Sequence, residues 1–201
     1  MITYTARRRA AALVSALALG LGISACGAGE DGAGADGHGE HGSSSTSADR
    51  AAADVTFAQQ MIPHHRQALE MASLAPTRAG AEVTALAARI SAAQDPEIAT
   101  MTAWLEKWDE PVPSEEGDDH AGHGDAEGMM SPEDLTRLAA LQGAAFDEEF
   151  LRQMIAHHEG AITMAEDVLS TGSDPKVAAL AQQISDTQRA EVDEMQDLLD
   201  R

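Results

Sequence analysis

A single cysteine, Cys26, stands among 201 residues, and only 3% of the chain is aromatic. One thiol closes no intrachain disulfide and builds no thiolate zinc site, and so few rings make no stacking platform for bases. Basic residues are scarce as well: 13 Lys and Arg face 34 Asp and Glu, a formal charge of −21 that a polyanion would repel. Nucleic acid is thereby excluded as a partner. No nucleophile triad, phosphate loop or dinucleotide fingerprint can be read from the chain, so an enzyme of those classes is not expected.

What is present begins with an address. Arg7, Arg8 and Arg9 precede a weakly apolar run from Ala10 to Ile23, a positive region followed by an apolar one too short to span a bilayer permanently. This predicts an export signal over residues 1–25. It ends in Ile23-Ser24-Ala25-Cys26, which resembles a bacterial lipobox, so Cys26 is expected to become the lipidated first residue. The alternative is an ordinary signal cleaved nearby, with an incidental cysteine. A doubly acylated cysteine would hold the protein on the outer face of the bacterial membrane. Residues 26–53, rich in Gly, Ala, Asp and Ser and without apolar periodicity, read as a flexible tether.

The rest, residues 54–201, contains a repeat. Phe57, Met61, Ile62, His64, His65, Ala68, Met71 and Ala72 recur as Phe150, Met154, Ile155, His157, His158, Ala161, Met164 and Ala165, at a constant offset of 150 − 57 = 93. Further on, Val83, Leu86, Ile90, Gln94, Glu97, Met101 and Leu105 return as Val177, Leu180, Ile184, Gln188, Glu191, Met195 and Leu199, with one residue added. Steps of four, three, four and three from Phe57 through Met71 trace one face of a helix. Each repeat is therefore a pair of helices: repeat one over 54–108, a His-containing acidic linker over 109–130, and repeat two over 131–201. Asp54 and Asp147 are placed to cap the first helix of each repeat, and Asp174-Pro175 opens the last one. Ser131-Pro132 opens a short additional helix ending near Gly143. Pro63 and Pro96 predict kinks in repeat one. An amphipathic hairpin cannot hide its apolar face alone, so the fold class is all-α: a four-helix bundle of two repeated hairpins, with a short extra helix and a disordered N-terminal tether.

All 8 histidines occur in pairs: His38 with His41, His64 with His65, His120 with His123 and His157 with His158. Met61 precedes His64 and His65 by three and four residues, and Met154 stands likewise before His157 and His158, so sulfur and imidazole share one helical turn. Neutral thioether and imidazole donors together suit copper, with silver or another soft metal as an analogue. Outside the cytoplasm, where thiols oxidise, such a donor set is sensible. The same methionines also fit as core fillers of a bundle poor in aromatics. The histidines also fit as polar core groups bonded to Glu97 and Glu191, which could equally orient them as ligands. Met101 and Met195, with His120 and His123 in the linker, are accessory candidates. Trp104 and Trp108 have no counterpart in repeat two and are expected to pack a bundle end.

The repeated Phe-x3-Met-Ile-x-His-His-x2-Ala-x2-Met-Ala element resembles the signature of a bacterial exported domain-of-unknown-function family, number 305, ferritin-like in its bundle and including CopM-type periplasmic copper-binding proteins. The resemblance covers about Asp54 to Leu199. It implies copper or silver binding for some members, with ligand positions at Met61, His64, His65 and Met71 and at Met154, His157, His158 and Met164. The function expected is an extracytoplasmic, lipid-anchored protein that sequesters or hands on copper without turning over a substrate. A metal-free interaction module and a copper oxidoreductase are the alternatives. A di-iron oxidoreductase would need Glu-x-x-His, and no histidine has an acid three residues before it.

Overall fold

The structure, a computed structural model, describes residues 42–114 and 127–201, except the side chains of 42–47 and 50. Cys26, His38, His41, His120 and His123 lie outside the described residues, as do the expected signal and residues 26–41 of the tether. Five helices and no strand occur among the described residues: α1 Gly42–Arg78, α2 Ala81–Trp108, α3 Pro132–Ala139, α4 Ala144–Thr171 and α5 Pro175–Leu199. None of them is long and apolar enough to cross a membrane. Helices α1 and α2 make one hairpin, α4 and α5 the other, and the hairpins join mainly through α1 against α4. This is the four-helix bundle that the repeat implies.

Two apolar clusters stabilise it. One gathers Met71, Leu86, Ile90, Phe146, Phe150, Met154 and Met195, and the other Phe57, Met61, Met101, Leu105, Val177 and Ile184. Each draws on both hairpins, which is how two faces that neither hairpin can cover alone leave water. The stacked indoles of Trp104 and Trp108, ring centroids 6.0 Å apart, pack against the second cluster at the end of α2, as expected.

Several local expectations are corrected. The tether was expected to reach residue 53, but α1 begins at Gly42. The helices persist through their prolines, α1 through Pro63 and Pro76 and α2 through Pro96. Burial of one face against partner helices outweighs the lost backbone bond at each proline. Helix α3 is shorter than expected, ending at Ala139, and it starts with a capping box in which Ser131 and Asp134 bond each other's backbone.

The largest departure concerns Asp54 and Asp147, which do not cap their own helices. Asp54, only 4% exposed, accepts hydrogen bonds from the backbone N–H of Ser173 and of Asp174 and from the Ser173 hydroxyl, at the entry to α5. Asp147 on α4 accepts from the Gly80 N–H, at the entry to α2, at 3.0 Å. Each hairpin thus satisfies the helix start of the other, a reciprocal exchange that the internal two-fold requires. Both carboxylates also meet the positive end of the helix they serve.

Asp54→Ala leaves buried donors at the α5 entry without a partner and should cost about 2 kcal/mol. Asp147→Ala, at a half-buried site with one donor, should cost about 1 kcal/mol. Urea unfolding with an unchanged slope checks both, and equal, negligible losses would contradict the exchange.

Candidate metal centre

Between the two apolar clusters lies a polar layer. His64, His65, His157 and His158 are each no more than 1% exposed, and Gln94 and Gln188 are 2% exposed. His64 and His157 are equivalent residues of the two repeats, and their ring centroids stand 3.8 Å apart, tilted by 38°. Equivalent residues meet only on a two-fold axis, so the internal axis passes between these rings. Their neighbours turn outward within each hairpin: His65 Nε2 lies 2.9 Å from Glu97 Oε2, and His158 Nε2 lies 2.8 Å from Glu191 Oε2. The Glu partnership is therefore between helices of one hairpin. Glu97 is further held by the Gln183 amide, which donates from α5 at 3.2 Å.

The polar atoms of this layer are not all paired. Both ring nitrogens of His64 and of His157, Nδ1 of His65 and of His158, and both amide atoms of Gln94 and Gln188 are buried without a hydrogen-bond partner. Each such group costs about 1–3 kcal/mol in a closed core, and together they would be a heavy load for one domain. Burial also fixes their charge. Desolvation first, then the neighbouring imidazoles His65 and His158, hold the His64 pKa at about 3 instead of 6.5. The Glu127 carbonyl works in the opposite sense without reaching hydrogen-bond geometry. His157 is lowered well below its ordinary value by burial and then by the charges that His64, His158 and His65 would carry. His65 is lowered by burial in spite of its Glu97 partner. His64, His65 and His157 are thus neutral imidazoles with free lone pairs.

A strap of chain crosses this seam. Gly128, with φ of +81°, brings residues 127–130 against α4 at Gly160, where a β-carbon would collide with the Glu127 carbonyl. Gln67 of α1, the repeat counterpart of Gly160, clamps the other side: its amide donates to the Met130 carbonyl at 2.9 Å and its oxygen accepts from the Met130 N–H at 2.7 Å. Met130, at the linker's end, is held by this clamp and packs against the first apolar cluster. Sequence reading missed this role of Gln67 and Gly160. The loss of a side chain at one of two repeated positions was the available signal.

Met61 and Met101 of repeat one share a cluster with Met164 of repeat two, while Met154 and Met195 share the other with Met71. Sulfur thus lies in both apolar cores, three methionines in one and, with Met130 packed against it, four in the other. The imidazoles themselves stack and do not converge: among the described residues, no three His, Cys, Asp or Glu side chains form a ready metal shell. The donor chemistry suits a soft, weakly hydrated ion through neutral nitrogen and thioether sulfur, and it offers nothing to an ion that needs several carboxylates.

Comparison with known proteins places these features in a family. The model of the family described as Domain of unknown function (DUF305) matches residues 54–199. A protein of Streptomyces coelicolor, described as a secreted DUF305 protein, is 30% identical with a TM-score of 0.66, covering 73% of this chain and 90% of that one. CopM in its Cu(II)-bound form is 36% identical with a TM-score of 0.63, covering 73% of this chain and 95% of CopM. CopM has also been solved with Cu(I) and with Ag. A stretch of 63 residues is 38% identical to the uncharacterized protein L153 of Acanthamoeba polyphaga mimivirus, and it spans 41% of that protein.

Imidazoles held neutral in the fold become protonated on unfolding, so stability is complete above about pH 6.5 and falls as the solution is acidified towards pH 3. Three such rings give a slope of roughly 1.4 kcal/mol per pH unit each over the interval in which all are lowered. Urea midpoints measured from pH 7.5 to pH 5 should decline steeply, and His64→Leu with His157→Leu should flatten most of that decline. A level profile for the unsubstituted protein would mean that the rings accept protons in place.

Proposed function

The chain belongs to the DUF305 family, and from that premise we propose that it is an extracytoplasmic protein which binds copper through its buried histidine layer, without turnover of a substrate. The observation that carries this reading is the set of buried, unpaired ring nitrogens on His64, His65, His157 and His158, with His64, His65 and His157 kept neutral by burial. A proton competes poorly for such nitrogens, so they remain available to a metal even in mild acid. His64 and His157 would supply the first nitrogens, since neither is committed to a carboxylate. His65 and His158 would be oriented by Glu97 and Glu191, which fix each ring by bonding Nε2 and leave Nδ1 for the guest.

Met61 and Met154, one turn before the histidines, are the thioethers we assign first. Met71, Met101, Met164 and Met195 serve as core packing and as further sulfur where the helices part. The metal's contribution would be a bond to soft neutral donors; the protein's is to hold those donors dry and unprotonated. His120 and His123 of the linker would be accessory collectors of metal ions. Export by the N-terminal signal and acylation at Cys26 would place the protein on the outer membrane face. The family likeness to a secreted relative and to CopM in its Cu(II), Cu(I) and Ag forms supports export and copper or silver as the cargo.

A second reading is favoured by one observation: the His65–Glu97 and His158–Glu191 bonds already satisfy half of the outer imidazoles. Under it the layer is internal structure and the bundle is a metal-free interaction module. Titration of the full chain with Cu(I) under reductant, against a competing chelator, decides between them. Tight binding should weaken at least 100-fold in His64→Ala with His157→Ala, and by roughly 10-fold in Glu97→Gln with Glu191→Gln. Weak binding that these changes leave untouched overturns the copper reading and leaves the module.

A further inference from the structure

The internal two-fold relates two grooves between α1 and α4, and the chain fills one of them. Helix α3 lies in the groove formed by the C-terminal half of α1 and the N-terminal half of α4. Leu138 is fully buried there in one cluster with Met71, Phe146 and Phe150, and Leu135 and Leu141 pack against it. Polar contacts fix the helix in place: Arg137 Nε donates to Glu149 at 3.0 Å, and the Gln153 amide donates to the Asp134 carbonyl at 3.3 Å.

The related groove lies between the N-terminal half of α1 and the C-terminal half of α4. It has a volume of about 370 Å³ and a floor of Ala53, Phe57, Met164 and Val168. Phe57 and Met164 are the repeat counterparts of Phe150 and Met71, and Gln60, counterpart of Gln153, stands on the same wall. Met71 is fully covered beneath α3, whereas Met164 remains partly exposed. Among the described residues, no helix lies in this second groove. Its rim differs in charge: Asp49 and Asp167, both exposed, stand where the filled groove has Gln142 and Leu74.

We infer that this second groove docks a short amphipathic helix of another protein, with leucines three residues apart facing the floor and basic side chains over Asp49 and Asp167, in the manner of α3. The chain itself has little to offer there. Residues 27–41 and 115–126 contain no Val, Ile, Leu, Met or Phe, and so present no apolar ridge. A second copy fails as well, because each copy has one α3 for two such grooves and would have to vacate its own. The acidic rim selects a basic partner, and the fully apolar floor accounts for the leucines.

The test uses the full chain with 13C-methyl methionine, Met164 being assigned by Met164→Leu. The probe is a peptide of residues 131–142 carrying Glu133→Lys and Ala140→Lys, both at positions on the exposed side of α3. The expected result is a saturable shift of the Met164 methyl with Met71 unmoved, and a Kd below about 1 mM. Asp49→Lys with Asp167→Lys, both at exposed positions, should weaken it roughly tenfold. Ala53→Asp, checked for retained helicity, should weaken it at least as much. The same twelve residues inserted within 27–41, at an effective concentration of about a millimolar, should shift Met164 without added peptide.

Four results would overturn the inference. One is a Met164 methyl that stays still both with free peptide and with the insertion. Another is a shift confined to Met71, which would show the peptide displacing α3. A third is a Met164 signal that varies with protein concentration alone, which would assign the groove to a second copy. The last is a signal already shifted in the full chain that Leu17→Asp with Leu21→Asp returns, which would assign it to the chain's own N-terminal segment.

Discussion

Two imidazoles from equivalent positions, His64 and His157, meet ring against ring at the axis between α1 and α4, with their centroids 3.8 Å apart. Two protonated rings could not share that spot, because each would add its charge to the other in a water-free layer. The seam of the bundle therefore closes only while these histidines are neutral, and much of the remaining architecture follows from keeping them so. Apolar clusters above and below exclude water, the outer histidines are held by Glu97 and Glu191, and the strap at residues 127–130 covers the top. What results is a slab of nitrogen donors inside an apolar bundle. Such a layer is expensive for a protein whose only task is to be folded.

The arrangement separates two kinds of donor. Nitrogen is gathered at the axis, while sulfur is spread through the cores, with Met61, Met101 and Met164 on one side and Met71, Met154 and Met195 on the other. Because methionine is flexible and polarizable, those thioethers fill core space as well as any leucine and can still swing towards an ion. A residue that packs in one state and coordinates in another needs no separate pocket. This explains how a bundle can carry the donor chemistry of a soft-metal binder while showing no preassembled shell among its described residues.

Much of this was legible in the sequence, and the reason is the repeat. Residues that recur at a fixed offset with the same identity, such as Met61 with Met154 and His64 with His157, declare both the helical face and the two-fold, so the bundle and its candidate histidines could be named. What escaped was whatever depends on contacts between the repeats. Asp54 and Asp147 look like local caps because an acid near a helix start ordinarily serves its own helix, and nothing in the chain reveals a partner in the other repeat, 119 or 67 residues away. The grouping of Met71 with Met154 and Met195 was hidden for the same reason. The extension of α1 back to Gly42 was missed because its first residues, Ser-rich and without an apolar stripe, carry no periodic signal.

The exchanged carboxylates bear on how such a molecule comes to exist. Asp54 reaches Ser173, 119 residues further on, and Asp147 reaches back 67 residues to Gly80. During synthesis the first hairpin leaves the ribosome with the opening turn of its second helix unfinished, and it stays so until the other hairpin has formed. A lone hairpin of this kind would have to borrow the missing acid from a twin, so a gene encoding just one repeat would specify a homodimer. Fusing the twins into one chain makes that partner permanent and frees each half to vary, as Gln67 and Gly160 already do on the two sides of the strap.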